Sequence, residues 1–166
     1  MKIILCIYII LMIISCSNGK YVDNIYVDED IIETCEYYDI DYYNLLKMSI
    51  RKKTSAIRKF ALIDKFQGEN FYSHGEYLME LIERIGDDTF VSAIKGISKD
   101  EALLIELYLK AGVDANESKY IAKNGNSDSK SSSPLCKYME RHPKIFNAIY
   151  NAEKSESVQK TNIQEK

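Results

Sequence analysis

The stretch SKDEALLIELYLKAG, residues 98–112, decides the fold class. Ser98 followed by Glu101 three residues later forms a capping box, in which each side chain satisfies a backbone N–H that the first helical turn leaves unpaired. The run it opens, EALLIELYLKA, is apolar almost all round, the pattern of a helix surrounded by other helices. It is expected to be the central helix, with Leu104 and Leu107 in the core and Gly112 as its stop.

Neighbouring stretches read the same way. Upstream, Ser73-His74-Gly75-Glu76 is a second capping box, with Tyr72 and Tyr77 at the staple positions; Tyr77, Leu78, Leu81, Ile82 and Ile85 then line one face and Gly86 follows as a stop. Asp87-Asp88 suits a helix start, and a short helix is expected from Thr89 to Lys95. Asp41 is placed to cap a helix at Tyr42, and Tyr43, Leu46, Ile50, Ile57 and Phe60 recur at helical spacing. Arg51 to Ser55 interrupts that apolar face, so residues 42–66 form either one long helix or two divided by a tight turn, ending at Gln67-Gly68. Downstream, Glu117 to Ser132 is polar and is expected as an exposed loop. Ser133-Pro134 opens a short helix that stops before His142-Pro143. Pro143 then opens a last helix with Ile145, Phe146, Ile149 and Tyr150 on one face, and a disordered tail is expected over 153–166. Tyr21 to Val27 alternates weakly, but an isolated strand has nothing to pair with. The expected fold is all-α: a compact bundle or stacked helical hairpins of five to seven helices over residues 41–152.

The N-terminus carries a different signal. Met1-Lys2 is followed by the unbroken apolar run IILCIYIILMII, residues 3–14, and then by Ser15-Cys16-Ser17-Asn18. A bilayer-spanning helix needs about 20 apolar residues, so the run has the length of a signal-peptide core instead. Ile13-Ile14-Ser15-Cys16 resembles the lipobox of bacterial lipoproteins, in a relaxed form with Ile at position 13. That resemblance implies removal of residues 1–15, a diacylglyceride on the Cys16 thiol, a further acyl chain such as palmitate on its new amine, and anchoring to a membrane without any spanning helix. Residues 16–40 are strongly acidic and are expected as a tether. The relaxed lipobox, the acidic segment, the Ile/Lys/Asn/Tyr-rich composition and the helical body together resemble the small helical surface lipoproteins of spirochaetes. This second resemblance implies an outer-membrane or cell-surface location and binding of host proteins, complement regulators or matrix proteins among them, in the service of immune evasion.

A third resemblance, to degenerate ankyrin repeats, covers residues 89–150. It rests on Thr89-Phe90-Val91-Ser92-Ala93, on Leu109-Lys110-Ala111-Gly112-Val113-Asp114-Ala115-Asn116, and on Ser133-Pro134-Leu135-Cys136. The His of that family's opening motif is missing at Ser92 and Cys136, and there are insertions between the units. It implies a scaffold facing the periplasm as the alternative function; an immunity or exclusion lipoprotein is a third reading.

Catalytic chemistry finds little support. The chain carries two histidines, His74 and His142, read as surface residues in a cap and a turn. There is no Gly-rich phosphate loop, Cys-x-x-Cys pair, His-Glu-x-x-His motif or nucleophile elbow, so neither an enzyme nor a cofactor or metal is expected. A formal charge of −3 argues against nucleic acid as the main partner. Lys47, Arg51, Lys52, Lys53, Arg58 and Lys59 have no acid among them between Tyr42 and Ile63. They form either a site for an anionic partner or a solvated face neutralised by the acidic segment. The loop, with Asn124, Asn126 and Asp128, is the other candidate partner-facing region. Cys35 and Cys136 are either a disulfide, contributing about 3–5 kcal/mol, or two buried thiols.

Overall fold

The structure, a computed structural model, describes residues 20–124 and 134–163, with side chains described over 21–116 and 134–152 and at Lys154. The all-α class holds. The elements run β1 (Lys20–Val22), β2 (Ile25–Val27), α1 (Glu29–Tyr37), α2 (Tyr42–Ile50), α3 (Thr54–Ala61), α4 (Glu69–Ile85), α5 (Asp87–Ala93), α6 (Lys99–Asn124), α7 (Pro134–Arg141) and α8 (Pro143–Ile163).

The capping box at Ser98 forms as its residue types require: the Ser98 amide donates to Glu101 Oε2 at 2.8 Å and the Glu101 amide to Ser98 Oγ at 3.2 Å. The helix it opens is longer than expected. Gly112 does not stop it; α6 continues to Asn124, so the expected loop begins eight residues later than the sequence suggested, and the rest of that loop lies outside the described residues. The reason is packing. α4 and α6 share the most extensive helix contact among the described residues, and they cross where Gly75 faces Gly112. A methyl group on Gly75 would lie 2.7 Å from the Gly112 nitrogen and collide with the Tyr108 carbonyl; one on Gly112 would lie 2.5 Å from the Gly75 carbonyl carbon and 2.6 Å from its oxygen. Both glycines are interior contact points.

This crossing also selects which face of α6 is buried. Ala102, Ile105, Tyr108, Leu109 and Val113 enter the core, whereas Leu103 and Leu107 are 43% and 42% exposed and Leu104 is half-buried. The expectation that Leu107 is central is therefore corrected: an apolar circumference does not say which side has a neighbour.

α4 begins at Glu69, four residues before the capping box at Ser73. Starting early brings Phe71 against Tyr108 at 4.5 Å between ring centroids and lets Asn70 Nδ2 donate to Thr34 Oγ1 of α1 at 3.0 Å. It also carries His74 inside. The imidazole is fully buried among Phe60, Phe66 and Tyr108 at 4.6–4.8 Å, with Tyr42 Oη 2.9 Å from Nδ1 and Nε2 without a hydrogen-bond partner. Tyr108 in turn donates its hydroxyl to the Ile63 carbonyl.

Two further corrections concern the start of the chain. Tyr21 to Val27 is not an isolated strand: β1 and β2 pair antiparallel, Val22 opposite Ile25, through a turn in which Asp23 and Asn24 have φ of 47° and 69°. Two positive φ values make a type I′ turn, whose twist suits a hairpin. The acidic segment from Lys20 onward is likewise folded: Val22, Ile25, Val27, Ile31, Ile32 and Cys35 all join the core. Residues 42–66 resolve into two helices. α2 ends in a Schellman motif, the Lys53 amide bonding the Met48 carbonyl at 3.1 Å and the Lys52 amide the Ser49 carbonyl at 2.8 Å, with Lys52 at φ 61°. α1 ends the same way through Asp39, φ 57°. α8 extends beyond Glu153 to Ile163, and Tyr150 is exposed rather than inward.

In a solvated helix Gly→Ala is worth up to ~1 kcal/mol of stabilisation. Here the added carbon meets backbone, which no rotamer can relieve, so Gly75→Ala and Gly112→Ala are each expected to lose about 3 kcal/mol or more, while Leu107→Ala loses under about 1 kcal/mol. Urea unfolding followed by far-UV circular dichroism distinguishes these. Burial also drives the His74 pKa from 6.5 down to about 3, against a smaller upward pull from the Phe60 backbone. Between those values the unfolded chain holds a proton that the native chain does not, so stability falls as pH drops from about 6.5 toward 3, by up to about 1.4 kcal/mol per pH unit. Denaturation midpoints at neutral and acid pH are expected to converge in His74→Gln relative to the native chain; an unchanged pH slope would show that His74 titrates normally.

Candidate functional site

Histidine placement disposes first of the acid–base possibilities. Neither ring is on the surface, which corrects the sequence expectation for both. His142 sits in the turn between α7 and α8 with Nδ1 2.7 Å from Asp87 Oδ1 and Nε2 3.1 Å from Glu83 Oε1. Arg141 reaches the same Glu83 oxygen at 3.1 Å, and Lys144 meets Asp88 at 2.7 Å. The C-terminal helices are thereby clamped to the junction of α4 and α5. Both His142 nitrogens are engaged with carboxylates, and the ring is stacked on Tyr138 at 4.4 Å. Among the described residues no group of three or more His, Cys, Asp or Glu is arranged to hold a metal ion. No described helix is long and apolar enough to cross a membrane.

The cysteines are not joined. Cys35 is buried on the inner face of α1, and desolvation pushes its thiol up to about 12, so it carries no thiolate near neutral pH. Cys136 is exposed on α7. Cys16 lies outside the described residues, as do Asn126 and Asp128; Asn124 is the last residue of α6.

The six basic residues separate into groups. Lys47 is exposed in the last turn of α2, and Arg51 and Lys52 are exposed in the turn that follows. Arg58 is taken up by the fold: its guanidinium donates to the Lys95 carbonyl at 3.0 Å and the Gly96 carbonyl at 3.5 Å and meets Glu101 at 3.4 Å, bracing α3 against the turn that leads into α6. Lys53 and Lys59 stand on the rim of a groove between α2 and α3, with a volume of about 920 Å³.

The groove follows from the helix periodicity of the two elements. α2 offers Asn44, Leu45 and Met48, and α3 offers Ala56, Lys59 and Leu62, each set spaced to lie along one helix face. Ile40 and Ile63 close the ends. Leu45, Met48 and Leu62 are half-buried, giving an apolar floor still open to solvent. Asp39, Asp41 and Asp64 line another part of the rim, so the groove is lysine-bearing in one part and acidic in another. Asp41 is committed locally, accepting from the Asn44 amide at 3.0 Å as the α2 cap, and Asp64 pairs with Lys65 at 2.8 Å. Sequence reasoning found the lysines by their charge. It missed the floor, because Leu45, Met48 and Leu62 interleave with core positions and their partial exposure depends on the split between α2 and α3.

The chain was compared with family models, curated proteins and solved structures, and nothing matches it. The groove is thus interpreted from its own geometry.

Arg58→Ala is expected to cost about 1 kcal/mol, at the low end for bonds to a charged donor because the side chain is 36% exposed. Lys59→Ala is expected to leave stability unchanged. Thermal melts of the two variants test whether the basic run divides in this way.

Proposed function

We propose that this chain is a lipid-anchored binding protein: Cys16 holds it at a bacterial membrane, and the α2–α3 groove receives an amphipathic segment of a protein partner. The observation that carries the binding reading is the groove itself, an open apolar floor of Leu45, Met48 and Leu62 between helices that present Lys53 and Lys59 at its edge. A groove of this shape suits a helix laid along it with apolar residues at i, i+3, i+4 and i+7. The rim charges favour an acidic residue on the occupant opposite the lysines, and such rim contacts act mainly on association rate and specificity. The anchor reading is supported by the apolar run that stops at Ile13-Ile14-Ser15-Cys16. The likeness to spirochaete surface lipoproteins directs the first search for partners to host complement regulators and matrix proteins.

Two experiments test the two halves. Cys16→Ala is expected to move the protein from the detergent to the aqueous phase and abolish labelling by a fatty-acid analogue; unchanged partitioning defeats the anchor. Capture of host serum and matrix proteins by the mature protein is expected to fall at least roughly tenfold in Lys53→Glu/Lys59→Glu and to weaken with salt. Undiminished capture by a variant that keeps its helical spectrum removes the groove as the site.

A further inference from the structure

The hairpin at the start of the fold has two faces with different chemistry. Val22, Ile25 and Val27 point inward and are at most 7% exposed. Tyr21 and Tyr26, paired across the strands, point outward, 69% and 47% exposed, their rings edge-to-face at 5.4 Å. The outward pair contributes little to the core.

The hairpin is fixed to the helical body at both its turn and its exit. Arg84 of α4 donates to the Asp23 carbonyl in the turn. Beyond β2, Tyr77 of α4 donates its hydroxyl to Asp28 Oδ2 at 2.8 Å and accepts from the Asp28 amide at 3.1 Å. Whatever fixes the hairpin in space therefore orients α4.

Resting on the lipid-anchor reading above, we propose that Tyr21 and Tyr26 form a membrane-contact surface that inserts into the headgroup layer of the bilayer holding Cys16. Cys16 and Lys20 are separated by four peptide steps, a maximal reach of about 14 Å. The polar headgroup layer is itself roughly 5–8 Å deep on each side of the bilayer. A lipid on Cys16 fixes that residue at the layer, so the hairpin can stand only a short distance above it. Tyrosine is suited to such a position, with an apolar ring and a hydroxyl that stays in water. The occupant is a zwitterionic lipid surface rather than an anionic one, because the charged residues on and just after the hairpin are mainly acidic: Asp23, Asp28, Glu29 and Asp30 against Lys20. The acidic segment is thus no spacer. It is a folded foot that fixes the orientation of the domain on the membrane.

The chain contains no Trp, so one introduced indole reports its own surroundings. Full-length acylated protein carrying Tyr21→Trp, Tyr26→Trp or, as a control on α8, Tyr150→Trp is reconstituted into phosphatidylcholine vesicles brominated near the glycerol end of the acyl chains. Intact mass gives the acylation of Cys16 independently, and far-UV circular dichroism checks that each variant folds. The two hairpin variants are expected to shift their emission to the blue and be quenched at least roughly twofold, with Tyr150→Trp unaffected. An acylated, vesicle-bound protein whose hairpin indoles are unquenched, or are quenched no more than the control, overturns the membrane-contact surface and leaves the anchor standing. A mass without acyl chains overturns both.

Discussion

The contact on which most of this structure depends is the approach of the α4 backbone to the α6 backbone at Gly75 and Gly112. With no side chain on either, the two helices meet main chain to main chain, and the residues on either side become core. His74, one step before Gly75, is carried into the aromatic cluster; Tyr108, one turn before Gly112, is placed between His74 and Phe71 and bonds the Ile63 carbonyl. Interhelical distance and rotation are set together here, because a larger residue at either position would separate the helices and open the cluster. An imidazole without a partner for Nε2 is tolerated because it remains neutral and its ring fills space among Phe60, Phe66 and Tyr108.

Around that crossing the fold uses polar clamps at its periphery. The N-terminal hairpin is held to α4 through Arg84 and Tyr77, and the C-terminal helices through His142, Arg141 and Lys144 to Glu83, Asp87 and Asp88. α4 and the start of α5 thus receive both ends of the described chain. Exposed ion pairs such as Lys144–Asp88 contribute little alone. The buried His142, with both nitrogens occupied, supplies directionality that a surface pair lacks, and it fixes the angle at which α8 returns to α6.

The sequence was legible where one local interaction both starts an element and is needed by it. Ser98 with Glu101, Asp41 before α2, and the prolines opening α7 and α8 fall where their chemistry placed them. It was misleading where a residue type did an unusual task. Gly112 reads as a helix stop yet serves as a contact point inside α6. Asp39 and Lys52 end helices in a left-handed conformation ordinarily left to Gly, and Asp23-Asn24 makes a hairpin turn without one. Each such turn by a non-glycine residue costs about 1–2 kcal/mol locally and persists because flanking residues such as Val22, Ile25, Ile40 and Ile50 pack down. That tertiary gain has no local signature. The same holds for His74, whose burial follows from where α4 begins, and this is decided by Phe71 and Asn70 against other helices.

The basic run shows why a charge pattern is not yet a site. In sequence, Lys47 to Lys59 is one cluster. Folding divides it by geometry: the Lys52 turn reverses the chain, so α3 faces α2, and Arg58 is drawn across to the carbonyls of Lys95 and Gly96. Guanidinium suits that task, since its planar fork can engage two neighbouring carbonyls and a carboxylate together, whereas an ammonium would meet them as a single point. Lys53 and Lys59 keep flexible, hydrated ammonium groups beside the apolar floor, the arrangement in which a charge steers an incoming partner without being desolvated by its own fold. Arginine is thus placed where the structure needs a brace, and lysine where a groove edge faces solvent. Choice of cation, as much as position, separates the structural part of the run from the part available for binding.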